Sequence, residues 1–203
     1  VFIIIDSLNR HYLSSYGNRV IKTPNIDRIA RKGVVFDNHW CGSMPCMPAR
    51  REFMTGRYNF LEHMWGPIEP FDDCFPVELR HQKGTYSHII TDHYHYLHGG
   101  GEGYTTLFNT YDIVRGQERD AWRALVESPK IAPHKGRLER QNWVNRQFID
   151  SERDEDYSTP QCFIKAMEFL DNNHRADNWF LQVEVFDPHE PYNCPKKYSQ
   201  MYH

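Results

Sequence analysis

Cys46-Met47-Pro48-Ala49-Arg50-Arg51-Glu52-Phe53-Met54-Thr55-Gly56-Arg57 is the most informative run of residues in the chain. Pro48 to Thr55 reads as a short helix with proline in its first turn and Gly56 as its stop. A cysteine just ahead of a helix lies where unpaired backbone N–H groups and the helix dipole favour negative charge. Arg50 and Arg51 add positive charge beside it, so the segment suits an anion such as sulfate or phosphate. The plainer reading of the cysteine and proline alone is a buried structural thiol at a helix start.

Working outward, strand-like and helix-like stretches alternate. Val1 to Ile5 is rich in β-branched residues and ends in Asp6-Ser7, which predicts a buried strand feeding a polar loop. Asn25 to Lys32 predicts a helix with Thr23 as N-cap, Pro24 in the first turn and Gly33 just past its end. Val34 to Phe36 predicts a short strand. Phe75 to Lys83 reads as a helix closed by Gly84, and Tyr86 to Thr91 as the strand that follows. Ile113 to Pro160 has weak periodicity and many charges and reads as an irregular, peripheral insertion at 113–160. Gln161 to Asn172 places Phe163, Ala166, Met167 and Leu170 on one helical face. Trp179 to Phe186 is an apolar strand ended by Asp187-Pro188. Such alternation predicts an α/β fold with helices packed on a sheet.

Composition bounds the function without identifying it. The 203 residues carry 24 Lys and Arg against 27 Asp and Glu, a formal charge of −3. With no basic block there is no electrostatic footprint for nucleic acid or acidic membranes. No apolar run is long enough for a membrane span. Five cysteines are an odd number, which argues against a fully paired disulfide scaffold. Cys41, Cys74, Cys162 and Cys194 read as structural or free. The chain begins inside a strand and stops in polar sequence, so it reads as a piece of a longer protein, and its compartment is left open.

Cys-x-Pro-x-Arg followed by Met-Thr-Gly-Arg resembles the signature of the sulfatase family, within the alkaline-phosphatase superfamily. Thr23-Pro24-Asn25-Ile26-Asp27-Arg28-Ile29-Ala30-Arg31-Lys32-Gly33-Val34-Val35-Phe36 is similar to another family segment. Phe75 to Leu79, Gly84-Thr85-Tyr86 and Pro188-His189-Glu190-Pro191 match further ones in order. The resemblance implies an alkaline-phosphatase-like sheet sandwiched by helices, with residues 1–203 as the N-terminal part of a catalytic domain whose remainder lies beyond His203. It implies a hydrolase of sulfate esters, on sulfated small molecules or glycans. Cys46 would be converted to formylglycine by a formylglycine-generating enzyme. The hydrated aldehyde attacks sulfur through one hydroxyl, and the second expels sulfate. By the same resemblance Asp6 and the modified Cys46 are metal ligands, Arg50 holds the diol, and His189 contacts the sulfate or the leaving oxygen. The metal would be divalent, calcium first and magnesium or manganese as alternatives. With its other ligands beyond His203, this piece alone is expected to bind metal poorly and to be inactive.

Departures from the family pattern keep alternatives open. A single Asp6 followed by Ser7 replaces the usual aspartate pair, as also occurs in phosphonate monoester hydrolases, so phosphonate or phosphodiester hydrolysis is the nearest alternative. Thr91-Asp92-His93-Tyr94-His95 stands where many sulfatases carry Gly-Lys-Trp-His. His93 then aligns with the catalytic lysine and His95 with the catalytic histidine, although imidazole is only partly charged at neutral pH. His93-Tyr94-His95-Tyr96-Leu97-His98 also fits a zinc pattern similar to that of the metallo-β-lactamase fold, in which His93 and His95 share a metal. An inactive sulfatase-like binding module is the remaining alternative. Asn9, Arg10 and His11 follow Asp6 and read either as pocket residues or as solvated loop.

Overall fold

A computed structural model describes residues 1–59, 63–127 and 136–202, with side chains of 136–139 left aside. Among the described residues four parallel strands make one sheet: β1 (Phe2–Ile5), β2 (Tyr86–Thr91), β3 (Thr110–Ile113) and β4 (Trp179–Val185), in the order β1-β4-β2-β3. The register pairs Ile5 with Val185, Thr91 with Glu184, and Thr91 with Ile113. Helices are α1 (Pro24–Ala30), α2 (Cys46–Thr55), α3 (Phe75–Lys83), α4 (Gly136–Arg146), α5 (Ser158–Asn173) and α6 (Lys196–Ser199).

Neighbouring residues of a strand face opposite ways, and β2 uses this to feed two cores. Ile89 packs with Met47 and Met54 of α2, Cys74, and Tyr96, Tyr104, Leu107 and Phe108. Ile90 packs on the other face with Leu181, Val183, Val185, Val114 and with Cys162 and Ala166 of α5. Helices therefore cover both faces of a parallel sheet, as the α/β reading expects. In such sheets the carboxyl ends of the strands form the natural binding crevice. Asp6, Asp92 and the loop from Phe186 to His189 all follow strand ends here.

Several local expectations need correction. Val34–Phe36 forms no strand: all three residues are exposed, and no described strand pairs with them. Among the described residues β1 pairs with β4 alone, and Phe2 and Ile3 are 36% and 44% exposed in this chain. Helix α2 starts at Cys46 itself, with Pro45 as its cap residue and Pro48 in the first turn. Thr23 does not cap α1 through its side chain, and its hydroxyl instead meets Asp27 Oδ1 at 3.1 Å. On α5 the inward positions are Cys162, Ala166, Phe169 and Leu170, while Phe163 and Met167 face outward.

Strand β3 was not legible, because Thr110-Tyr111-Asp112-Ile113 has only one strongly apolar aliphatic residue. The segment read as irregular holds helix α4 and several buried groups, with Val144 and Asn145 fully enclosed. Asn145 Nδ2 donates to the carbonyl of Asp120 at 2.8 Å, and Asp120 pairs with Arg115 at 2.7 Å. Its apparent irregularity reflects burial carried by polar groups instead of an apolar stripe. Residues 128–135 of that segment lie outside the described residues.

Candidate active site

The site is assembled where β1, β4 and the loop after β2 end against the N-terminus of α2. Strand β1 stops at Ile5, and Ser7 takes a left-handed backbone conformation, φ 55°, that turns the chain sharply after Asp6. The Asp6 carboxylate accepts from the Ser7 hydroxyl at 2.8 Å and pairs with Arg50 Nη1 at 2.6 Å. A cleft of about 400 Å³ opens beside it, lined by Asp6, Ser7, Cys41, Cys46, Arg50 and His189 among others. Cys46 and Arg50 of α2, Asp6 and His189 are thus brought to one cleft from three separate parts of the sequence.

Arg50 is buried and bound on two sides. Its Nε donates to Glu184 Oε1 at 2.8 Å, while Nη1 meets Asp6 and Nη2 has no partner among the described residues. Burial works against its charge, but Glu184, Tyr96 and Asp6 together raise its pKa further above the ordinary arginine range. Glu184 Oε2 also accepts from the Tyr96 hydroxyl at 2.9 Å and from Gln182 Nε2 at 3.2 Å. Sequence reasoning missed Glu184. The signal was a carboxylate inside an otherwise apolar strand, a residue type almost never fully buried without a partner. Arg51, expected to add positive charge, turns away into a buried pair with Asp72 at 2.6 Å.

Cys46 Sγ lies 3.7 Å from His95 Nδ1. The half-buried thiol was expected to favour its charged form at a helix start. Desolvation instead outweighs the help from Arg50 and the first-turn N–H groups, and its pKa is pushed up to about 11. The native thiol is therefore protonated at neutral pH. His95 is packed edge-on against Trp65 with ring centroids 4.8 Å apart. Burial, then His98, Arg119, His189 and Arg50, lower its pKa to about 4.

His93 is fully enclosed between Tyr96 and Phe186, at centroid distances of 4.8 Å to each. Burial first, then Arg50 and His95, hold its pKa well below the usual imidazole value. It does not line the cleft. A neutral enclosed ring cannot replace a lysine's charge, which corrects the expectation of a partly protonated sulfate-holding group. His189 does line the cleft, stacked on Phe186 at 4.3 Å, with Nδ1–H donating to the Glu190 carbonyl at 2.8 Å. Asp92 sits beneath this loop and accepts from the Phe186 N–H at 2.7 Å and the Ser158 hydroxyl at 2.8 Å. Through these bonds Asp92 fastens the strand end that carries His189. Asn9, Arg10 and His11 are exposed and absent from the cleft's lining, so they behave as solvated loop.

For a calcium-type ion, which takes six or more oxygens, the described residues offer one cleft-lining carboxylate, Asp6, with lone pairs left beyond those used by Ser7 and Arg50. Glu184 is enclosed and already committed to three donors. The donor set present does not complete such a site. All five cysteines are free thiols, and no described helix is long and apolar enough to cross a membrane.

Comparison with known proteins agrees with this arrangement. The family model described as Sulfatase matches residues 1–203. The chain is 25% identical to the uncharacterized sulfatase YidJ of Escherichia coli (strain K12), over all of its own length and 40% of that protein's. It is 36% identical to the N-acetylglucosamine-6-O-sulfatase of Bacteroides thetaiotaomicron, over 93% of this chain and 30% of that protein. Among solved structures, the phosphonate monoester hydrolase of Agrobacterium radiobacter superposes with a TM-score of 0.62 at 21% identity, covering 98% of this chain and 43% of that one. A structure in complex with its substrate D-glucosamine-2-N,6-O-disulfate gives 0.63 at 20% identity, covering 93% and 34%. These two show a shared alkaline-phosphatase-like α/β fold. The chain belongs to the sulfatase family and spans well under half the length of these relatives. A metallo-β-lactamase-type zinc hydrolase is thereby set aside.

Proposed function

We propose that the protein containing this chain hydrolyses sulfate esters through a formylglycine made from Cys46. One observation carries the reading: Cys46 opens helix α2 in a cleft shared with Asp6, Arg50 and His189, with His95 against its sulfur. A protonated thiol with a pKa near 11 is a poor nucleophile. A hydrated aldehyde at the same position supplies one hydroxyl to attack sulfur and a second to release sulfate.

The chain's own groups divide the work. Arg50, fixed by Asp6 and Glu184, has an Nη2 without a partner among the described residues, available to donate to an oxygen at position 46. His95, neutral and 3.7 Å from Sγ, can accept a proton from a hydroxyl there. His189 keeps Nε2 for the sulfate or the leaving oxygen, since Nδ1 is held by Glu190. Asp6 would be one ligand of a divalent ion, calcium first and magnesium or manganese otherwise. Such an ion would offset the negative charge of the sulfuryl oxygens. The sulfated glucosamine bound by one structural neighbour supports sulfated glycans as the substrate class.

Asp6 followed by Ser7, with no second aspartate, favours phosphonate or phosphate diester hydrolysis as the second reading. The full-length protein, coexpressed with a formylglycine-generating enzyme, tests both. Loss of the thiol and gain of an aldehyde in the Cys46 peptide mass, with turnover of aryl sulfates, supports the proposal. Turnover of phosphonate esters alone transfers it to the second reading. An intact thiol, in a host that converts a control sulfatase, overturns it and leaves a sulfatase-like binding module.

A further inference from the structure

Cys46, His93 and His95 come from the start of α2 and the loop after β2, and their ligand atoms all lie within 4.8 Å of one another. The Cys46 Sγ to His95 Nδ1 separation is 3.7 Å. Tetrahedral zinc with bonds of about 2.3 Å to sulfur and 2.0 Å to nitrogen holds its ligands about 3.5 Å apart. The pair is thus already spaced for a shared ion, and the third ligand needs only a small side-chain adjustment. His93 adds an independent observation. It is fully buried, and neither of its ring nitrogens has a hydrogen-bond partner among the described residues. Buried imidazole nitrogens are ordinarily satisfied, so this one lacks the partner that its position beside the sulfur would give it.

We propose that the chain bearing an unconverted Cys46 thiol is a zinc site, held by Cys46 Sγ, His95 Nδ1 and a His93 ring nitrogen, with water in the fourth position. The S–H bond breaks and its proton passes to solvent, a sulfur–zinc bond forms, both imidazoles bind neutral, and no electrons change owner. Arg50 opposes a cation here, but Asp6 and Glu184 both pair with it. Of the sequence's His-x-His-x-x-His pattern, His93 and His95 take part, while exposed His98 gives way to Cys46. Conversion of Cys46 to formylglycine removes the sulfur and with it the site, so zinc and the modification exclude each other. That last consequence rests on the formylglycine reading, whereas zinc binding itself does not.

Cobalt(II) titration of the full-length protein, produced without a formylglycine-generating enzyme, tests the site. One equivalent should bring a thiolate-to-cobalt charge-transfer band and strong tetrahedral visible absorption, both erased by zinc. The band should vanish in Cys46→Ser, and cobalt affinity should fall at least about tenfold in His95→Gln. Zinc should also slow alkylation of Cys46 while leaving exposed Cys41 and Cys194 unaffected. Cobalt binding without the thiolate band, or a band that survives in Cys46→Ser, overturns the proposal. Circular dichroism of the variants separates lost ligation from lost fold. If the Cys46 peptide mass never shows conversion, the formylglycine reading fails while the titration still decides the zinc site.

Discussion

Replacing Arg50 with methionine isolates a buried cluster in which one guanidinium faces two carboxylates. The side chains of Arg50, Asp6 and Glu184 are 4%, 8% and 0% exposed, so Glu184 cannot fall back on water and Asp6 meets it only where it faces the cleft. In Arg50→Met, Glu184 keeps the Tyr96 hydroxyl and Gln182 amide on Oε2 but loses the one donor that Oε1 has among the described residues. Among the described residues the Asp6 carboxylate then keeps the Ser7 hydroxyl. Removing one member of a buried ion pair, and so stranding the opposite charge, costs about 3–5 kcal/mol. Glu184→Gln should cost less, about 1–3 kcal/mol, because its amide oxygen can still accept from Arg50 Nε and Asp6 still pairs with the guanidinium. Urea unfolding of the full-length variants, followed by tryptophan fluorescence, measures both. An Arg50→Met loss under about 1 kcal/mol would refute the claim that these charges depend on one another. So would a Glu184→Gln variant less stable than Arg50→Met.

Three further outcomes follow from the packing and titration of the chain. Ile89→Ala, at a fully buried strand position between the sheet and α2, should destabilise by about 2–5 kcal/mol and Ile89→Val by about 0.5–1.5 kcal/mol in the same urea assay. His88 stacks on Phe169, and burial lowers its pKa. Its contribution to stability is present above the unfolded value near 6.5 and is lost as pH falls through the interval below it. The gap between urea midpoints at mildly acidic and neutral pH should therefore narrow in His88→Phe, the remaining slope coming from His93 and His95, and an unchanged pH slope would count against the assignment. Native alkylation read by mass should label Cys41 and Cys194 first, and Cys74 and Cys162 only after unfolding. Early labelling of Cys162 would contradict its place in the core.

What the sequence disclosed was whatever is written locally. Tyr86–Thr91 and Phe75–Lys83 match the structure at both ends, because an apolar β-branched run and a glycine after a basic last turn are local signals. Val34–Phe36 carries the same apolar signal but finds no neighbouring strand among the described residues, and apolar composition cannot supply a partner. The site shows the same division. Cys46 and Arg50 share one helical run and were legible together. Glu184, almost the whole sequence away from Asp6, is brought to the same guanidinium only by the β1–β4 pairing that sets Ile4 beside it. His93 carried a ligand-like spacing but no sign that it would be enclosed between Tyr96 and Phe186.

The clearest failure of local reading concerns charge, and it bears on anion binding. Arg50-Arg51 reads as a positive pair next to Cys46. In the fold Arg51 is neutralised by Asp72, and Arg50 faces two carboxylates. His93 and His95 are neutral at physiological pH. The charges packed around Cys46 therefore sum to no net attraction for a sulfate ester, whatever the two arginines suggest in sequence. A divalent cation would tip that balance toward an anion, and Asp6 is the cleft-lining carboxylate placed to help hold one. Sulfate binding to the full-length protein, followed by calorimetry, should weaken at least about tenfold when a chelator removes divalent ions, and calcium should restore it. Asp6→Asn should lose most of the calcium response while its chelated form binds sulfate no worse than the chelated parent. Affinity indifferent to chelator would show instead that Arg50 or His189 supplies the attraction directly, and the charge balance argued from the ion pairs would have to be abandoned.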